Sequence, residues 1–134
     1  MARYVIDAPT LVHVVDGGLR VDPDVKLVAP NSIRSEALGL LLRDVREGRR
    51  TEQQALQAHE RITELKMRLL GDRVSRGTAW RIARERGWDT LRDAEYLAMT
   101  RLQADALVTV DADLAAKARD VVPVAPLAAL LGPA

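Results

Sequence analysis

The run Arg3-Tyr4-Val5-Ile6 is β-prone and stops at Asp7-Ala8-Pro9. Proline suits the first turn of a helix, where no backbone N–H is needed, so the pattern predicts a strand that passes directly into a helix. Leu11, Val12 and Val15 supply that helix's apolar face, and Gly17-Gly18 ends it. The same junction recurs. Lys26 to Ala29 reads as a strand closed by Pro30, with Asn31 or Ser32 able to cap a helix through Arg46. The run Ala106 to Val110 reads as a buried strand, and Asp111 starts a short helix through Ala118. Strands alternating with helices predict an α/β domain whose central, largely parallel sheet is covered on both faces.

The segments between these junctions read as helices. Ile33, Ala37, Leu40, Leu41 and Val45 recur at helical spacing, with Gly48 as a stop. Thr51 and Gln54 form a capping-box signal, and Ala55, Ala58, Ile62, Leu65 and Leu69 then run along one stripe that Gly71 closes. A further helix is expected from about Thr78 to Arg86, closed by Gly87. Thr90 can cap the next, with Asp93 at the third position and Ala94, Leu97, Ala98 and Leu102 buried. Val121 to Val124 reads as a last strand and Leu127 to Leu131 as a terminal helical turn.

The 134 residues match the size of one domain, expected over 1–134, and 48% apolar content can bury a core. No apolar stretch is long enough to cross a bilayer and no signal peptide is evident, so a cytoplasmic location with no membrane association is expected. Cysteine is absent, which excludes disulfides, thiolate zinc sites and cysteine nucleophiles together. His13 and His59 lie far apart, and neither has a partner at a metal-ligand spacing. Any bound metal must therefore be held by oxygen. The net charge is only +1, but basic residues outnumber acidic ones from Arg61 to Arg92. Arg73, Arg76, Arg81 and Arg84 can follow a phosphate backbone or form a solvated helical surface with intrahelical ion pairs.

In open parallel sheets, ligands bind beyond the C-terminal ends of the strands. Asp7 and Asp111 each follow a strand directly, Glu36 sits in the first turns of the helix after the second strand, and Asp93 opens the helix that leads into Asp111's strand. Taken singly, each has a structural explanation as a cap, a capping-box partner or a charge suited to the positive end of a helix. Together they describe four carboxylates at one sheet edge, which repel one another and need a compensating cation. With no sulfur ligand and no paired histidine, Mg²⁺ or Mn²⁺ fits such a set.

Tyr4-Val5-Ile6-Asp7-Ala8, Ser32-Ile33-Arg34-Ser35-Glu36-Ala37-Leu38, Arg92-Asp93-Ala94 and Ala106-Leu107-Val108-Thr109-Val110-Asp111-Ala112-Asp113-Leu114 resemble, in order and approximate spacing, the PIN-domain nucleases. Among these the chain most resembles the VapC-type ribonuclease toxins of toxin–antitoxin pairs. The resemblance implies a three-layer α/β/α domain and a Mg²⁺- or Mn²⁺-dependent endoribonuclease. It implies catalytic and metal-binding roles for Asp7, Glu36, Asp93 and Asp111, with Asp113 as a further metal ligand and Thr109 in support. It also implies a tRNA or ribosomal RNA substrate, a cognate antitoxin and a homodimer. One position departs from the family pattern. A small hydroxyl residue usually lies two positions after the first aspartate, where this chain has Pro9, with Thr10 next to take over the role.

The competing reading is a PIN-fold module that binds RNA or protein without cutting. A receiver-like domain would need an adjacent acidic pair after its first strand, and Asp7 stands alone. A serine hydrolase lacks its Gly-x-Ser-x-Gly elbow here, and Gly17-Gly18 is a turn signal, not a phosphate loop. Trp80 and Trp88 flank the basic helix before Asp93, and either base stacking or burial in a core or dimer contact accounts for them.

Overall fold

The first strand-to-helix junction forms as the sequence predicts: β1 (Arg3–Ile6) ends at Asp7, whose side chain caps α1 (Ala8–Asp16) by accepting from the Thr10 amide. The computed structural model describes residues 1–132, so the last two residues of the expected domain lie outside the described residues. After α1 come β2 (Lys26–Pro30), α2 (Ile33–Arg46), α3 (Glu52–Glu64), β3 (Arg68–Leu70), α4 (Arg73–Arg86) and α5 (Arg92–Gln103). They are followed by β4 (Ala106–Val108), α6 (Ala112–Ala118), β5 (Val124–Ala125) and a 3-10 turn over Leu127–Leu130.

The sheet has the order β3-β2-β1-β4-β5, and every pairing is parallel. The chain winds outward from β1 through β2 to β3, then returns across the sheet to build β4 and β5 on the other side of β1. The winding direction therefore reverses between β1 and β4, which opens a crevice at their C-terminal ends. Side-chain alternation divides the core in two. Ile6, Leu27, Ala29 and Val108 pack with α1, α2 and α3, whereas Val5, Val28 and Leu107 pack with α4, α5 and α6. The result is a three-layer α/β/α sandwich. Among the described residues, no helix is long and apolar enough to cross a membrane.

Several boundaries differ from the sequence reading for local reasons. The stripe from Ala55 does not carry a helix to Leu69. α3 ends at Glu64, Leu65 is extended and its carbonyl accepts from the Arg34 guanidinium, and Leu69 lies in β3 opposite Ala29. Gly71 is not a helix stop but the first residue after β3, where an added Cβ would come within 2.6 Å of the Asn31 side-chain nitrogen. α4 begins at Arg73, capped by Asp72 accepting from the Ser75 amide, and closes as expected at Gly87 in the left-handed conformation. Thr90 does not cap α5: Leu91 holds that position without a side-chain bond, and Asp93 is the second helical residue. Leu102 is 40% exposed rather than buried. β4 stops at Val108, leaving Thr109 and Val110 outside the strand, and β5 is displaced to Val124–Ala125.

The capping box at Thr51 and Gln54 forms with both reciprocal bonds. Just before it, Arg50 ties three helices together. It donates to both oxygens of Asp16 at 2.8 and 2.6 Å and to Asp44 at 2.8 Å. Bonds from Arg50, and secondarily from Arg49, hold the Asp44 carboxyl below its ordinary value. A depressed carboxylate contributes stability that is present above the ordinary value of 3.8 and lost as pH falls through the folded value. Arg50→Ala is therefore expected to cost about 1 kcal/mol near neutral pH, since the pairs are only part-buried. In urea titrations its deficit relative to wild type should shrink below the ordinary carboxylate range; a deficit that stays constant to pH 3 would show that Arg50 acts through packing alone.

Candidate metal centre

Asp7 is the first residue beyond β1 and is only 3% exposed. A carboxylate buried this deeply needs hydrogen-bond donors, and two hydroxyls provide them. Thr109 donates to Asp7 Oδ2 at 2.7 Å, and Thr10 donates to Oδ1. The same hydroxyls also accept backbone protons: Thr10 from Val110 N at 3.0 Å, and Thr109 from Asp111 N at 3.0 Å. The start of α1 and the segment after β4 are thus joined through one carboxylate at the crevice where the winding reverses. Burial pushes the Asp7 carboxyl above its ordinary value, and the bonds from Thr10 and Thr109 oppose that shift without cancelling it.

Asp111 caps α6, its Oδ1 accepting from Asp113 N at 2.9 Å and Leu114 N at 3.4 Å. Glu36 lies in the first turn of α2 and Asp93 in the first turn of α5. Asp7, Glu36, Asp93 and Asp111 line one cavity of about 310 Å³ together with Pro9, Arg43, Arg92 and Tyr96. Asp113 is exposed and does not line it. Pro9 lines the wall while Thr10, one residue on, makes the hydroxyl contact to Asp7.

The carboxylates share the cavity but not one point. Among the described residues, no three acids stand close enough to hold a single ion as their side chains lie. Each of them has a protein partner. The Tyr96 phenol donates to Glu36, and Arg92 Nε lies 3.8 Å from the other Glu36 oxygen. Lys117, on α6, donates to Asp93 at 2.9 Å with its ammonium 5.2 Å from the centre of the Trp88 ring. Burial, reinforced by the bond to Glu36, pushes the Tyr96 phenol far up, so it remains a donor. The Asp93 bond raises Lys117, which stays charged. The donor set is all oxygen, a chemistry suited to a hard divalent cation.

Tyr96, Lys117 and Arg43 escape the sequence reading as site residues. Tyr96 carried a usable signal, since it lies one turn after Asp93. Lys117 carried a misleading one: its spacing from Asp113 suggests a pair within α6, yet it reaches across to α5. Arg73, Arg76, Arg81 and Arg84 are exposed on α4, outside the cavity.

No family model matches the chain, and no curated protein matches it by sequence. Solved structures do. The chain is similar to PAE2754 from Pyrobaculum aerophilum, with a TM-score of 0.69 and 24% identity over 92% of this chain and 89% of that one. It is also similar to VapBC-1 from nontypeable Haemophilus influenzae, with a TM-score of 0.62 and 14% identity over 92% of this chain and 97% of that one. At these identities the likeness establishes the fold: a PIN-like α/β/α sandwich with a five-stranded parallel sheet.

Proposed function

We infer that the protein is a divalent-metal-dependent endoribonuclease, the toxin of a toxin–antitoxin pair. The observation that carries this reading is the gathering of Asp7, Glu36, Asp93 and Asp111, from four separate segments, around one cavity at the reversal of the sheet. The oxygen-only donor set fits Mg²⁺ or Mn²⁺, with Asp7, Asp93 and Asp111 as the holding residues and Glu36 completing the set, while Asp113, outside the cavity, would join only by turning its side chain inward. The ion would supply charge neutralisation at the phosphoryl oxygens and acidify the attacking water.

The chain's own residues perform the rest. Glu36, oriented by the Tyr96 hydroxyl, would accept the proton as water oxygen attacks phosphorus and the P–O bond on the opposite side breaks, the leaving oxygen taking a proton from solvent water. Arg92, largely exposed beside Glu36, meets the phosphate charge. Thr10 and Thr109 keep Asp7 oriented from behind. The motif resemblance and the likeness to VapBC-1 support a cognate antitoxin, and a homodimer and a tRNA or ribosomal RNA substrate follow from the motif resemblance alone. Leu38 and Leu42, one turn apart on α2 and exposed, offer apolar surface to an antitoxin segment.

One observation favours the second reading, a PIN-fold module that binds RNA or protein without cutting. Every acid already has a protein partner, and no three converge. Total RNA incubated with Mg²⁺, Mn²⁺ or chelator separates the two. Cleavage should require metal and fall by about 100-fold or more in Asp93→Asn. Binding without cleavage in every divalent metal would establish the module instead.

Asp7→Asn provides a control on folding. A carboxyl raised in the folded state contributes stability below its ordinary value of 3.8 and loses it as pH rises through the folded value, so the buried charge is a cost near neutrality. The metal-free Asp7→Asn protein should unfold at a temperature no lower than wild type at pH 7, its advantage shrinking as pH falls towards 4. A lower unfolding temperature at pH 7 would mean that the Thr10 and Thr109 bonds require a carboxylate.

A further inference from the structure

α4 buries Ala79, Ile82 and Ala83 against the core and turns the opposite face outward. On that face stand Arg73, Arg76, Trp80 and Arg84, separated by three or four residues, with Arg81 alongside. Trp80 is 60% exposed, whereas Trp88 is half-buried against Lys117. Gly77, one turn before Trp80, has no heavy atom within 4 Å of where a Cβ would stand, so the surface beside it is open. None of these four arginines forms a salt bridge among the described residues, in contrast to Arg49, Arg50, Arg92 and Lys117. Arg81 donates to the Thr78 hydroxyl at 3.2 Å, and Glu85 forms no salt bridge with the arginines beside it among the described residues. The face begins at the site's edge of the sheet, where Arg76 shares a small cleft with Ser32 and Glu95.

We propose that the outer face of α4 binds single-stranded RNA, with a base stacked on Trp80 and the flanking phosphates on Arg76 and Arg84. Arg76 and Arg84 are spaced one turn to either side of Trp80 along α4, a rise of about 6 Å each way. An aromatic platform between cationic groups is the arrangement that holds a nucleic-acid strand without reading its sequence. A second copy of the chain is a poor occupant, because two-fold pairing through α4 would set these arginines against their own images. The proposal rests on RNA as the substrate class but not on cleavage, so the two can fail separately.

The test measures binding of a fluorescein-labelled 12-nucleotide oligouridylate to the metal-free protein by anisotropy, across a salt series. Trp80→Ala should weaken binding by about 5- to 100-fold and leave the salt slope unchanged. Trp80→Phe, which keeps a stacking ring, should recover most of the affinity. Arg84→Ala should lower the salt slope by about 0.7, the value for one phosphate contact on a single strand. Oligouridylate should also quench tryptophan fluorescence in wild type and not in Trp80→Phe. The proposal is overturned if Trp80→Ala binds as wild type does. It is equally overturned if Trp80→Ala converts a sedimenting dimer to monomer, which would make this face an interface between copies. Cleavage of total RNA with unchanged Trp80→Ala affinity would sink this proposal alone. Trp80-dependent binding without cleavage would sink only the catalytic reading.

Discussion

The burial of the Asp7 carboxylate between the ends of β1 and β4 is the constraint around which the rest of the structure is arranged. A charge excluded from water at that depth persists only if donors are brought to it: Thr10 comes locally from the first turn of α1, and Thr109 reaches Asp7 only when β1 and β4 pair. That pairing sets Ile6 opposite Val108 and so brings Thr109 level with Asp7. It depends in turn on the α4–α5 crossover, which carries the chain past two strands to the far side of β1. The hydroxyls serve two needs at once, since each donates to the carboxylate and accepts a loop amide. Valine at either position would break both bonds together, and this coupling makes the junction all-or-none rather than adjustable.

The four acids around the cavity illustrate a general conflict. Carboxylates placed close enough to share an ion repel one another without it, and a metal-free protein must relieve that repulsion internally. Here relief comes from three different sources. Glu36 takes a phenol proton and a nearby guanidinium, Asp93 takes the Lys117 ammonium, and Asp111 takes the first amides of α6. Each carboxylate is thus held by its own partner, and among the described residues no three of them converge. Lys117 is held by both Asp93 and the Trp88 ring, which fixes its ammonium beside the acids although the side chain stays exposed.

How much of this was legible in the sequence depended on how local each cause was. β1, β2 and the α3 capping box were legible because Pro9, Pro30 and the Thr51–Gln54 pair act within a few residues. The shared edge of the acids was legible too, because parallel alternation forces strand ends to one side. β3 was not: Leu65 and Leu69 keep a helical spacing, and what makes Arg68–Leu70 a strand is its pairing with β2, some forty residues earlier. Thr90 failed as a cap because Leu91 rather than a hydroxyl residue sits where the helix begins. The α6-to-α5 reach of Lys117 was illegible for the same reason as β3, since a partner on another element leaves no mark in local spacing.

α5 links the site to the basic face of the molecule. Its first turn supplies Arg92 and Asp93, with Tyr96 one turn on, while its buried side meets the sheet through Leu97 and Ala98. α4 lies against it, and to the shared core the two helices contribute four alanines, Ala79 and Ala83 from one and Ala94 and Ala98 from the other, beside Ile82, Leu97 and Met99. Small residues let two helices approach closely and leave little side-chain freedom between them. The outer face of α4 is therefore mounted on the same rigid pair that positions Asp93 and Tyr96. A strand held on Trp80 and its flanking arginines would be placed relative to the acids by helix packing and not by a mobile loop. That is the mechanical requirement for a surface that presents a polymer to a fixed site.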